Sequence, residues 1–416
     1  MPDDQDWLTS EAAAARLGVK PETLYAYVSR GAVRSERLPG TRRSRFLRAD
    51  VERLTEKNKR RGGGRAGALD VIVETELTLL DPAGRLHYRG WDVADAVASG
   101  ATFDEVAGWL WSGDRTPVPF TSPPAMAETA RRVADALADQ PAMDRLRAVV
   151  AAARHTDPLR DDRRPVAVAA AARGLIATMV DALPVQGDDP AAGPDPAAGA
   201  SGSIATRLWP RLSALPVTPE RTRLLDTLLV LLADHELAAS TLAARIAAST
   251  WADPYLVVLA GLATLGGPLH GSASTEARGL VREVDQGMPA AEAIGRRLRA
   301  EQLIPGFGHR IYASHDPRAE ILLGLLARDH ALPSEEALVA VMRERGLPFA
   351  NVDFAIASLA ERHGMVDEAG EVVFAVARTA GWLAHATEEY RHRLRFRPRG
   401  VYTGPPPGAS PTPPPS

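Results

Sequence analysis

Three short stretches decide how this chain folds and what it does: Gly266-Gly-Pro-Leu-His-Gly271, Pro305-Gly-Phe-Gly-His-Arg310 and Phe349-Ala-Asn-Val-Asp353. Each sets an ionisable group beside glycine or turn-forming residues. Glycine lets the backbone approach a ligand closely and leaves a neighbouring imidazole at a loop or helix end, where a cavity can use it. A single histidine of this kind is ordinarily a capping or core residue. Two glycine-framed histidines together with an aspartate in an Asn-Val-Asp-Phe turn point to catalysis instead.

Outward from these stretches the sequence is mostly helical. Apolar periodicity predicts helices over Val93 to Trp111, Met126 to Leu137, Val166 to Leu183, Arg221 to Ala248, Pro254 to Leu265, Pro289 to Ala300 and Phe374 to Leu394. Strand signals are short, at Val71 to Leu80 and the Arg85 to Tyr88 turn region. The stretch 184–203 and the tail 404–416 are rich in Pro, Gly, Ala and Asp or Ser without periodicity, which predicts disorder.

Composition narrows the function classes. The 416 residues, 45% of them hydrophobic, suffice for two or three domains with a large core. Cysteine is absent, which removes disulfides, thiolate metal sites and a cysteine nucleophile. No run approaches the roughly 18 to 20 apolar residues of a membrane span. The acidic start MPDDQDW is unlike a signal peptide, so a cytoplasmic protein without membrane attachment is expected. The histidines lack metal-ligand spacing, and no metal is expected. Residues 1–65 carry 15 Lys+Arg against 9 Asp+Glu in a chain whose net charge is -3. A basic piece joined to an acidic body predicts separate partners for the two, with a polyanion for the first.

Within that basic piece, Trp7 to Leu54 predicts helix, tight turn, helix, wing, helix. Ser10 is placed to cap the first helix, Gly18-Val19 to turn, Pro21 to start the second helix and Gly31 to end it. The segment resembles the winged helix-turn-helix of the MerR and excisionase-like families through Leu8-Thr-Ser-Glu-Ala-Ala13, Leu17-Gly-Val19, Thr23-Leu-Tyr-Ala-Tyr-Val28, Arg42-Arg-Ser-Arg-Phe46 and Asp50-Val-Glu-Arg-Leu54. That resemblance implies a second helix in the DNA major groove, bringing Thr23, Tyr25 and Arg30 near bases. Wing residues Arg42, Arg43 and Arg45 are then placed at phosphates.

The body resembles the citrate synthase family, in order, over nearly everything from Gly67 to Gly404. Besides the three opening stretches the resemblance rests on Thr78-Leu-Leu-Asp81, Leu86-His-Tyr-Arg-Gly-Trp-Asp92, Ala233-Asp-His-Glu-Leu-Ala-Ala-Ser-Thr241, Ala377-Arg-Thr-Ala-Gly-Trp-Leu-Ala-His385 and Arg397-Pro-Arg399. It implies a mostly α homodimer whose large and small helical domains close over the substrates, preceded by the small winged helix-turn-helix domain. The implied boundaries are 1–56 for the DNA-binding module, 57–66 for a basic linker and 67–271 for the first part of the large domain. The small domain then covers 272–365, the rest of the large domain 366–403 and the tail 404–416.

The same resemblance assigns the chemistry, condensation of acetyl-CoA with oxaloacetate. Asp353 is the base, His270 hydrogen-bonds the enol oxygen, and His309 polarises the oxaloacetate carbonyl. His235, Arg318 and Arg378 meet the substrate carboxylates, joined by Arg397 from the second subunit. No cofactor is permanently bound; acetyl-CoA is a co-substrate. The chain departs from the family at Ser272 and Ser274, at Ala350, where a proline is expected, and at Ala313, where a basic residue usually approaches the CoA phosphates. Two alternatives remain open: a 2-methylcitrate synthase using propionyl-CoA, and a DNA-binding regulator whose body has become a metabolite sensor.

Overall fold

A computed structural model describes residues 7–17, 24, 28, 33–37, 44–52, 72–81, 84–187, 202–267, 273–300, 303–394 and 396–397. His270, Thr23, Tyr25, Arg30, Arg42 and Arg43 lie outside the described residues, as do the 57–66 linker, the 404–416 tail and most of the 184–203 stretch. The chain divides into two compact units, Met1–Glu74 and Thr75–Ser416.

The first unit adds a strand that the sequence pattern does not announce. Strand β1 (Trp7–Thr9) pairs antiparallel with β3 (Ser44–Leu47), which pairs in turn with β2 (Ser35–Arg37). The first helix, α1 (Ser10–Leu17), begins at Ser10 itself, and its capping oxygen comes from Thr9, which accepts from Ala12 N at 3.2 Å. Leu8, Ala13, Leu17, Leu24, Val33, Phe46 and Val51 fill one small core. Arg34 closes it through a two-pronged bond to the buried Asp50, Nε at 2.8 Å and Nη2 at 3.0 Å. Arg45 donates to Glu36 at 3.1 Å and lies over the Trp7 ring at 4.8 Å.

The second unit is helical around one large apolar core, with a three-stranded antiparallel sheet at its start: β4 (Thr78–Leu80), β5 (Leu86–Tyr88) and β6 (Trp91–Asp92). The strand expected from Val71 shrinks to Thr78–Leu80. The expected Val93 to Trp111 helix is two helices, Val93–Ala98 and Phe103–Ser112. Gly100, at φ 85°, ends the first, and Thr102 with Glu105 forms a capping box that starts the second.

The expected Arg221 to Ala248 helix is likewise two, α2 (Pro219–Leu232) and α3 (Ala239–Ser249). Between them, backbone and side-chain bonds hold Asp234 and His235 in a turn with Glu236 at φ 54°. The last helix, α7 (Ala369–Glu389), lies several residues earlier than the expected Phe374 to Leu394. A second, smaller core joins Leu280, Val281, Ile294, Ile304, Leu338, Met342 and Phe354. It packs helices α4 (Ala273–Asp285) and α6 (Val352–Arg362), while α5 (Pro317–Leu326) faces the large core. Among the described residues, no helix is long and apolar enough to cross a membrane.

Candidate active site

Pro305–Arg310 forms a loop between the helix Ala290–Arg299 and α5, and its shape depends on two glycines. Gly306 and Gly308 sit at φ 80° and 83°, and a Cβ on Gly306 would come within 2.9 Å of the Phe354 Cβ. The loop can therefore lie directly on the first turn of α6. Asn351 locks the two together. Its Oδ1 accepts from Asp353 N at 2.9 Å, capping α6, while its Nδ2 donates to Gly308 O at 2.8 Å. Backbone bonds from Gly308 N to Phe349 O and from Asn351 N to Gly306 O complete the clamp. One side chain thus ties the loop that carries His309 to the turn that carries Asp353, although 44 positions separate the two.

Local bonds also set the proton of His309. Its Nδ1 accepts from Ile311 N and Tyr312 N, each at 3.1 Å, which leaves the ring proton on Nε2. Burial, reinforced by the Arg318 guanidinium, pushes His309 down to about 4, so the ring is neutral near pH 7. Arg318 Nη2 lies 3.4 Å from that Nε2. Two donors facing each other at this distance share an opening suited to an acceptor oxygen between them.

Arg318 is buried and held by Asp316, whose carboxylate caps α5. Arg318 Nε and Nη2 donate to Asp316 at 3.0 and 2.8 Å, and Val352 N donates to the same carboxylate at 3.0 Å. The pair therefore ties α5 to the start of α6. Asp353, partly exposed in the first turn of α6, is raised to about 6. Withdrawal from water is the largest cause; Arg318 pulls it down and Asp316 pushes it up. A carboxylate with that affinity for protons is still ionised at pH 7 and is a stronger base than an exposed one.

His235 arrives from the turn between α2 and α3. Its ring meets that of His309 edge to face at 5.3 Å, and burial with Arg318 and Arg378 nearby keeps it well below the usual imidazole range. Behind it, Asp234 is fully buried and accepts from Thr78 Oγ1 at 2.5 Å, His385 Nε2 at 3.1 Å and Glu236 N at 3.2 Å. His385 Nδ1 in turn accepts from Arg245, which pairs with Glu388 and Glu389. Tyr88 donates to Asp234 O at 2.9 Å. These bonds hold the turn that breaks the helix.

Arg378 stands in the middle of α7, buried, with Nε donating to Leu232 O at 2.8 Å. Among the described residues no carboxylate lies within ion-pair distance of it, and burial lowers it to about 10. A buried guanidinium with no carboxylate of its own suits an anionic ligand. Arg397 is exposed, and no described contact joins it to this cluster.

The structure therefore brings together His235, His309, Arg318, Asp353 and, by electrostatic reach, Arg378. Reading the sequence missed Tyr312 and Asp316. Asp316 carried a signal in the Asp-Pro pair that opens a helix. Tyr312 carried none beyond lying three residues after His309.

Comparison with known proteins supplies the kinship. The family described as citrate synthase, C-terminal domain, matches residues 68–399, and the helix-turn-helix domain family matches residues 7–59. The citrate synthase of Haloferax volcanii is 32% identical over 367 residues, 80% of this chain and 94% of that one. That of Acidithiobacillus ferridurans is 34% identical over 206 residues, 46% of this chain, so that match spans only 53% of the relative. Among solved structures, a ternary complex of carboxymethyl coenzyme A and oxaloacetate with the citrate synthase of Thermoplasma acidophilum is 27% identical with a TM-score of 0.60, covering 80% of this chain and 94% of that one. Extent of match, order of motifs and fold agree: the chain belongs to the citrate synthase family and carries an N-terminal helix-turn-helix domain.

Proposed function

We propose that this chain condenses an acyl-CoA with oxaloacetate, acetyl-CoA being the expected donor and propionyl-CoA the alternative that gives 2-methylcitrate. The observation that carries the reading is the Asn351 clamp, which ties the turn carrying an aspartate of raised proton affinity to the loop carrying a neutral histidine with its proton on Nε2. Asp353 takes a methyl proton from the thioester, and His270 hydrogen-bonds the resulting enol oxygen. The enolate carbon attacks the oxaloacetate ketone, whose oxygen receives the proton of His309 Nε2. Water then cleaves the thioester and releases CoA. Donors aimed at developing oxyanions are the main source of rate in such steps. Arg318, Arg378 and His235, with Arg397 of the partner subunit, meet the two carboxylates.

The dimer enters this reading through Arg397, which is exposed within its own chain. Mixing Asp353→Ala and Arg397→Ala proteins and allowing subunit exchange is expected to restore CoA release, because each hybrid assembles one intact site. No rescue after verified exchange means that Arg397 acts within its own subunit or not at all.

A second activity rests on the helix-turn-helix match at residues 7–59. The N-terminal unit binds DNA, with Thr23, Tyr25 and Arg30 at the bases and Arg42, Arg43 and Arg45 at the phosphates. Arg45 must exchange Glu36 for a phosphate to do so. An anisotropy titration on fragments flanking the protein's own coding region is expected to show affinity falling steeply between about 50 and 200 mM salt, by counterion release. Changing Arg42, Arg43 and Arg45 together to Ala is expected to flatten that dependence. Binding that is absent at the lower salt, or untouched by the triple change, removes the DNA reading.

A further inference from the structure

One side chain at the centre of the site has no role in the reaction as written above. Tyr312 is 5% exposed and stands among the three groups that address the keto-dicarboxylate. Its hydroxyl is 3.1 Å from His235 Nε2, its ring lies 4.6 Å from the His309 ring at 33°, and the Arg318 guanidinium is 5.6 Å from its centroid. An apolar ring would serve to pack the two latter groups. The hydroxyl adds a polar atom beside His235, among the groups that meet the substrate in the reading above.

We propose that Tyr312 is a further substrate-contacting residue, whose hydroxyl, held by His235, donates to an oxygen of the keto-dicarboxylate that His309 and Arg318 also address. This rests on the oxaloacetate reading above. The argument turns on where one proton sits. Burial holds His235 well below the usual imidazole range, so the ring is neutral and its Nε2 either donates to the phenol oxygen or accepts from it. When it accepts, the phenol proton is spent and a ligand meets only lone pairs. When it donates, the phenol proton is free to point at a ligand oxygen. An anionic ligand selects the second arrangement, because it gains a donor and avoids facing a lone pair. The phenol stays protonated in either case: burial raises it to about 12.

The test is Tyr312→Phe in the full-length chain, which removes one oxygen and keeps the ring against His309. The expected result is a KM for oxaloacetate raised about tenfold or more, as for loss of a hydrogen bond to a charged group, with kcat within about fivefold of wild type because His309 keeps its support. The rise in melting midpoint on adding oxaloacetate shrinks in parallel, measured against each protein's own ligand-free midpoint. Placing 4-aminophenylalanine at position 312 returns a donor at the same ring position and recovers affinity, which a purely packing role would not produce. It also decides the matter if the phenylalanine protein melts without cooperativity. An unchanged KM and ligand shift in Tyr312→Phe, or no recovery with the amino variant, overturns the proposal. Failure of the underlying reading is separate: there the wild-type protein itself shows neither CoA release nor stabilisation by oxaloacetate.

Discussion

Asp353→Asn is expected to lower oxaloacetate-dependent CoA release by about 100- to 10,000-fold, the usual loss on removing a general base, while leaving the protein no less stable. The two halves of this result have one cause. Asp353 is raised to about 6 in the folded chain, above the ordinary value of an unfolded aspartate, about 3.9. The folded state therefore holds the proton more tightly. The stability that this proton contributes is fully present below about pH 4 and is lost as pH rises through about 6. At pH 8 the ionised carboxylate is a cost to folding, and the neutral amide removes it. Asp353→Asn should thus melt above wild type at pH 8, with the gap closing below pH 4. Wild-type kcat/KM should fall with a one-proton slope below about pH 6, where Asp353 is protonated and His309 is still neutral. A variant that keeps near wild-type turnover means that Asp353 is not the base; one that is inactive but melts far below wild type at pH 8 means that the residue is structural.

Arg318→Ala is expected to behave oppositely, losing both activity and stability. The Arg318 side chain supplies two of the hydrogen bonds to the buried Asp316 carboxylate and, among the described residues, its one ion-pair partner. Removing one partner of a buried ion pair leaves the other uncompensated and costs about 3 to 5 kcal/mol. Asp316 also accepts from Val352 N at the start of α6, so the loss reaches the turn that carries Asp353. Arg318→Lys keeps the charge but not the planar two-pronged geometry, and is expected to recover stability more than activity. Chemical denaturation with a shared slope for the three proteins separates the terms. An Arg318→Ala protein as stable as wild type contradicts the pairing described here.

These two variants show which parts of the site could be read from the sequence. His309 lies in a glycine-framed loop and Asp353 in an Asn-Val-Asp turn that opens α6, and such local signals survive without the fold, whereas Arg318, in the first turn of α5, was legible only through the family resemblance. The turn at Asp234 and His235 is different. Apolar residues continue through Leu231-Leu-Ala and Leu237-Ala-Ala-Ser, so periodicity alone runs one helix across it. The break is enforced by Thr78, Tyr88 and His385, which are remote in sequence and bond to the Asp234 backbone and carboxylate. Tyr312 is hidden for the same reason, since its hydroxyl finds His235 across 77 positions. The split at Gly100 was legible in principle, because glycine followed by Thr-x-x-Glu is a stop and a start. Strand β1 was not: three residues cannot establish alternation.

The most direct measurement is thiol release by the purified full-length chain with oxaloacetate and either acetyl-CoA or propionyl-CoA. Because the protein contains no cysteine, a thiol reagent sees only the CoA produced. The structure and family membership predict steady release with at least one of the two thioesters, dependent on oxaloacetate and abolished in Asp353→Asn. Oxaloacetate that stabilises the protein against heat while neither thioester releases CoA above the Asp353→Asn background would contradict the catalytic account and leave the body as a sensor.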